Sequence, residues 1–195
     1  MPRWHVYVNR AAGRRPVDPA LVGQILAGLG LDAEIFVPES REETTALIQE
    51  AARAGGRHFA VTGGDGTVNL AVNALMPLGL DTRPVLGVLP VGTGCDLLRT
   101  FGLPQDLLGA ARHLSSADTY DIDVATVEGE WGTRYFANVA QTGVGAAGPR
   151  PRCESVGGSV WLATHSPLPS VSPDSPRRRS GSSQSAEQSK PRPWR

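Results

Sequence analysis

A single lysine, Lys190, occurs in this chain of 195 residues. A phosphate loop of the G-x-x-x-x-G-K-[ST] kind needs a lysine directly after its glycines, so that device is excluded. Cysteine is almost as scarce. Cys95 and Cys153 stand in unlike contexts, which fits a reduced cytosolic chain better than a disulfide framework. No run reaches the roughly 18 apolar residues of a membrane span. Met1-Pro-Arg-Trp-His lacks the apolar core of a signal peptide. The expectation is therefore a cytoplasmic chain whose contact with a membrane, if any, is peripheral. Internal repeats are absent as well.

The formal charge is +0 but unevenly spread. Residues 1–148 carry 11 arginines against 16 carboxylates, whereas residues 149–195 carry eight basic and three acidic side chains. The second part also holds eight of the 16 prolines, with runs such as Pro173-Asp-Ser-Pro-Arg-Arg-Arg-Ser180. Only Val156 to Ala163 offers an apolar patch there. Such a composition cannot bury enough apolar surface to offset its ordering entropy. The reading is thus a domain over 1–148 and a disordered Pro/Ser/Arg-rich tail over 149–195. By charge the tail's arginines could touch acidic lipid or nucleic acid, but a solvated tail is the simpler expectation and no nucleic-acid partner is expected; a further reading makes the tail a membrane or partner anchor.

Glycine, unlike lysine, is plentiful, and it clusters in Ala60-Val-Thr-Gly-Gly-Asp-Gly-Thr-Val-Asn69. An apolar strand runs there into a turn from which Gly63, Gly64 and Gly66 remove three Cβ atoms, and a helix follows. A glycine turn at a helix N-terminus offers free N–H groups and the positive end of the helix dipole, which suits phosphate. Asp65 would repel bare phosphate. It fits if a metal ion lies between carboxylate and phosphate, or if Asp65 takes a proton from a substrate hydroxyl.

Around that stretch the chain alternates strand and helix. Strands are expected at 4–8, 33–37, 57–62 and 84–90. Between them, Asp18 starts a helix with Leu21, Ile25, Leu26 and Leu29 on one face. Ser40 and Glu43 form a capping box for the next helix. Helices follow from Leu97 and from Gln105, then a hairpin of 119–127 with 133–140. Alternating βα units imply an α/β fold of three layers, a mostly parallel sheet with helices on both faces. Ligands of such sheets bind beyond the carboxyl ends of the strands. Asn9 and both glycine turns fall there, and Asn9 could either bind a ligand or hold its loop.

The second turn is Pro90-Val-Gly-Thr-Gly-Cys-Asp-Leu-Leu-Arg99. It lacks the third glycine of the dinucleotide fingerprint. It would set Asp96 in the same crevice as Asp65, and paired carboxylates beside phosphate suggest Mg²⁺. The competing reading makes Asp96 a helix cap or the i,i+3 partner of Arg99. Asp121 and Asp123 share one face of a strand, on the plain reading a solvated one.

Four segments in order, Gly63-Gly-Asp-Gly-Thr67, Pro90 to Arg99, Asp121-Ile-Asp-Val and Phe136-Ala-Asn-Val-Ala-Gln-Thr-Gly-Val-Gly145, resemble the catalytic domain of the diacylglycerol kinase family. Asn9 and Gly13 are similar to that family's opening motif. The resemblance covers about residues 4–148. It implies transfer of phosphate from ATP to a lipid hydroxyl such as that of diacylglycerol. ATP would be bound by Asn9, Gly63, Gly64, Asp65, Gly66, Thr67, Val68, Asn69, Gly92 and Thr93. It implies Asp65 and Asp96 as the catalytic carboxylates near the γ-phosphate. Asp65, Asp96 and Asp123 would serve a magnesium ion through water. Ser40 stands where a ligand threonine is usual, and Cys95 replaces an asparagine.

In the family a second, β-rich domain follows and supplies a catalytic glutamate; Glu154 and Glu187 match no such motif. The expectation is a truncated chain, from a frameshift or another reading of a longer gene, with weak lipid kinase turnover. Two other readings are a non-catalytic ATP/Mg²⁺-binding remnant and an enzyme similar to the NAD kinases. Loss of the second domain would also leave the hairpin's apolar face exposed for self-association.

Overall fold

The computed structural model describes residues 2–13, 16–91, 95–116 and 118–138, and the backbone of 152–163. Its elements are β1 (Trp4–Val8), α1 (Pro19–Gly28), β2 (Ala33–Phe36), α2 (Arg41–Arg53), β3 (His58–Gly63) and α3 (Asp65–Leu75). After a short 3₁₀ turn come β4 (Val85–Pro90), α4 (Asp96–Thr100), α5 (Leu107–Leu114), β5 (Thr119–Gly129), β6 (Gly132–Phe136) and β7 (Arg152–Ala163).

The sheet order is β2-β1-β3-β4-β7-β5-β6. β2, β1, β3 and β4 are parallel to one another, and β5 is antiparallel to both β7 and β6. Alternation along each strand sends side chains to two separate cores. Tyr7, Phe59, Val61 and Val88 pack with Ile48 of α2 and with Val68, Ala71, Val72 and Leu75 of α3. Trp4, Val6, Val8, Ala60 and Leu89 pack with Val22 and Leu26 of α1 and with Ala110, Ala111 and Leu114 of α5. The expected three layers are therefore present.

Local signals act largely as the residues predict. Asp18 accepts the Ala20 N–H at 2.9 Å. Ser40 Oγ accepts the Glu43 N–H at 3.0 Å. His58 is half-buried and stands edge-on to Trp4, and burial lowers its pKa. The face of α1 differs from the expected one at its first position: Leu26 is buried and Ile25 and Leu29 pack on the same core, but Leu21 is exposed and Val22 is buried instead. The stripe is rotated because α5 covers α1 from one side, which periodicity alone does not encode.

The largest departure is β7. Residues 152–163 belong to the stretch expected to be a disordered tail, yet their backbone forms a strand between β4 and β5. Main-chain pairing supplies what composition lacks: β4 and β5 each present an edge of N–H and C=O groups, and a strand between them satisfies both. Residues 164–195 lie outside the described residues. The hairpin also buries more than expected. Ile122 and Val124 join the core on the α3 side, and the large exposed apolar side chain is Trp131 at its tip.

Candidate functional site

The parallel strands β1, β3 and β4 end on one edge of the sheet. Strand order reverses between β1, which leads to β2 on one side, and β3 on the other, and such a point is where α/β sheets open a crevice. Asn9 and Gly63 flank it. The Asn9 N–H donates to Thr62 Oγ1 at 2.8 Å, and Asn9 Nδ2 donates to Thr67 Oγ1 at 3.3 Å. Asn9 Oδ1 accepts the Ala11 N–H at 3.0 Å. Asn9 thus holds its loop and also ties β1 to the start of α3.

Helix α3 begins on Gly64 and has no side-chain cap. Gly63 is required by packing: a Cβ there would stand 2.7 Å from Thr67 Cβ. Gly66 is different. Nothing lies within 4 Å of where its Cβ would be, and Gly66 lines a cavity of about 430 Å³ with Asp65, Asn69, Asp96 and Phe136. A helix N-terminus left open by a glycine that the fold itself does not need is a cradle for phosphate. Gly66→Ala should leave folding unchanged or stabilise it by up to about 1 kcal/mol, since alanine suits a helix better. The same change should weaken ATP binding at least tenfold in calorimetry.

Asp65 has an unexpected set of partners. Its Oδ2 accepts the Asp96 N–H at 2.9 Å, and its Oδ1 accepts the Leu97 N–H at 3.0 Å and the Cys95 Sγ–H at 3.3 Å. The first residue of α3 therefore caps α4. Burial alone would raise the Asp65 pKa, but the two backbone amides and the thiol outweigh it and hold the carboxyl below the usual range. Asp96 lines the same cavity, but its carboxylate meets Arg99 at 2.6 Å. The two aspartates are joined through the Asp96 backbone rather than as facing carboxylates.

Cys95 is fully buried, and its N–H donates to Gln105 Oε1 at 3.0 Å. Burial, and then the hydrogen bond and charge of Asp65, push the thiol up to about 11. It remains protonated and keeps a donor on Asp65. Iodoacetamide at pH 8 should leave Cys95 unmodified in the native chain and alkylate it only after unfolding, as peptide mass mapping would read.

A second cavity, of about 310 Å³, is lined by Tyr7, Asn9, Ser40, Arg41, Thr44 and Thr67. Arg41 lines both cavities and, among the described residues, has no carboxylate partner. The Ser40 hydroxyl is engaged in capping α2. Val68 is mostly core, and Asn69 Nδ2 donates to Tyr135 O at 3.0 Å. Asp123 lies on the exposed face of β5 and does not line the cavity of Asp65 and Asp96. Gly92 and Thr93 lie outside the described residues. Arg41 and Asn73 went unrecognised in the sequence. Asn73, one helical turn after Asn69 on the same face, carried a readable signal.

The cavity fits the phosphates of ATP at the open turn of α3. The fit to a directly bound metal is poor. Among the described residues no three His, Cys, Asp or Glu side chains cluster as a metal site. Asp65 offers its lone pairs to three hydrogen bonds, and Asp96 is shared with Arg99.

Residues 3–127 match the family model of the diacylglycerol kinase catalytic domain. The chain belongs to that family. It is 35% identical over 146 residues to a diacylglycerol kinase of Bacillus subtilis, covering 73% of this chain and 46% of that protein. It is 38% identical over 119 residues to a probable lipid kinase YegS-like of Chromohalobacter salexigens, covering 59% of this chain and 37% of the relative. A crystal structure of a diacylglycerol kinase from Bacillus anthracis superposes with a TM-score of 0.57 at 30% identity, over 69% of this chain and 45% of the other. The chain thus spans less than half the length of these relatives. Among its described residues no helix is long and apolar enough to cross a membrane.

Proposed function

We infer that this domain is the nucleotide half of a lipid phosphotransferase. ATP lies with its phosphates against the first turn of α3 and its nucleoside toward Tyr7, Asn9 and Arg41. Thr67 and Asn69 complete the lining; Gly92 and Thr93, which the family resemblance adds to the ATP-binding set, lie outside the described residues. The observation that carries the reading is the uncapped α3 turn, opened by Gly66 onto the cavity of Asp65 and Asp96. Magnesium brought by the nucleotide would be held through water, by Asp96 more readily than by Asp65, and would offset charge on the phosphates. The acceptor is a lipid hydroxyl of the diacylglycerol kind, reached by a cytoplasmic chain at the membrane surface.

A carboxylate that accepts the hydroxyl proton works best with a pKa near the operating pH. Asp65 is held the other way, and its oxygens are occupied. That favours Asp65 as the residue that shapes the second turn, and it supports a second reading, a domain that binds ATP with little transfer of its own. Calorimetry with ATP and Mg²⁺, followed by phosphate transfer to diacylglycerol in mixed micelles, separates them. Binding with transfer at ordinary kinase rates supports the full kinase and removes the reading of weak turnover. Binding without phosphorylated lipid supports the binding domain. No binding removes both, and phosphorylated NAD in a substrate panel would move the chain to the NAD kinase branch.

A further inference from the structure

Two asparagines one helical turn apart on α3 hold the backbone of a single hairpin residue. Asn73 Nδ2 donates to Tyr135 O at 2.8 Å, and Asn73 Oδ1 accepts the Tyr135 N–H at 3.0 Å. Asn69 Nδ2 donates to the same carbonyl at 3.0 Å. Asn73 Nδ2 also reaches the Asn69 carbonyl at 2.9 Å, which keeps the two amides in register. Among the described strands β6 is the last in the sheet, so its outer edge has no strand beside it. The Asn73 amide presents to that edge the donor and acceptor that a neighbouring strand would present.

The placement of this clamp bears on the site. The residues directly after Tyr135, namely Phe136, Ala137 and Asn138, line the cavity together with Asp65, Gly66 and Asp96. Part of the cavity's lining is therefore the first turn of α3, and part is the chain leaving β6. Asn73 lines neither part itself. It joins the helix that supplies one to the strand that leads into the other.

We propose that Asn73 is a positioning residue of the nucleotide site: by seating Tyr135 it holds residues 136–138 in the lining of the cavity shared with the α3 turn. This rests on the nucleotide reading above. Its consequence is reciprocal coupling. A ligand that needs both parts of the lining must stabilise the hairpin, and loosening the hairpin must weaken the ligand by the same factor.

The test uses ATP with Mg²⁺ on the 195-residue chain. Hydrogen exchange of the peptide spanning 133–138 is followed with and without nucleotide, and affinity is measured by calorimetry for wild type and Asn73→Ala. ATP should slow exchange of that peptide in the wild type. Asn73→Ala, measured far below its melting temperature, should bind ATP about tenfold more weakly and lose the ATP-dependent protection. Wild-type affinity in Asn73→Ala overturns the proposal and leaves the nucleotide reading standing, because a merely structural asparagine lowers the melting temperature alone. Should the variant fail to fold, the wild-type comparison decides: unchanged exchange on adding ATP overturns the proposal. If the wild type does not bind ATP, both readings fall together.

Discussion

Asp65→Asn should destabilise the domain by about 2 kcal/mol and remove much of its sensitivity to acid. The carboxylate receives three donors, from Asp96, Leu97 and Cys95, and hydrogen bonds to an ionised acceptor are worth roughly twice neutral ones. Asparagine keeps one acceptor oxygen but turns an amide N–H toward a backbone N–H, so at least one donor is left unpaired. The site of damage is α4, whose first amides have Asp65 as their cap. The sign of the pH effect follows from the folded pKa lying below the ordinary aspartate value. The carboxylate contributes stability above the unfolded value, and that contribution disappears as pH falls through the folded one. Wild-type stability should therefore decline as pH is lowered below about 4. The decline should be shallower in Asp65→Asn. Urea denaturation at pH 7, 4 and 3 reads both effects. Equal slopes with pH in the two proteins would show that Asp65 does not carry the acid sensitivity.

Asp65 also marks where the sequence stops being readable. Its glycine surroundings announce a phosphate turn, and that much is local: Gly63 to Thr67 are consecutive, and their chemistry depends on their own backbone. Its partners are 30, 31 and 32 positions away, and two of them are backbone amides. No spacing rule reports such a contact, so a general base and a helix cap look the same in the chain. Asp96 shows the reverse case. The Arg99 partner at i+3 was visible as a competitor to metal binding, and the ion pair forms because the two side chains share a helix face.

The same distinction explains the elements. In β5, Ile122, Val124 and Thr126 are buried while Asp121 and Asp123 are exposed, so the alternation written in the chain is the alternation of the strand. Asp121 is then held by Arg83 at 2.9 Å, from the loop before β4. The capping box of α2 was legible through Ser40. The Glu43 carboxylate, however, accepts from the Glu39 N–H at 2.7 Å. β7 was legible only as the apolar patch of Val156 to Ala163. Its pairing depends on the open edges of its neighbours, on main-chain groups common to every residue, and the Pro/Ser/Arg-rich sequence around the patch hid it.

Gly63→Ala should cost about 3 kcal/mol, more than any other single methyl group added to this site. Two causes act together. Gly63 has φ of 153°, a region L side chains rarely adopt, and the new Cβ would meet Thr67 Cβ at 2.7 Å, with Thr67 Oγ1 closer still. Thr67 cannot retreat freely, because its Oγ1 accepts from Asn9 Nδ2 at the point where β1 and β3 diverge. A displaced Thr67 shifts the first turn of α3 and the end of β1 together, so ATP binding should be lost along with stability. Thr67→Gly by itself removes the obstructing side chain and costs about 0.4 kcal/mol in helix propensity. If the collision matters as much as the backbone, the double variant should be more stable than the sum of the two by about 1 kcal/mol, a coupling typical of residues in contact. Strict additivity would assign the whole cost to the backbone angle of Gly63. Recovery of stability without recovery of ATP binding would show that Thr67 itself, not only the shape of the turn, is needed for the nucleotide.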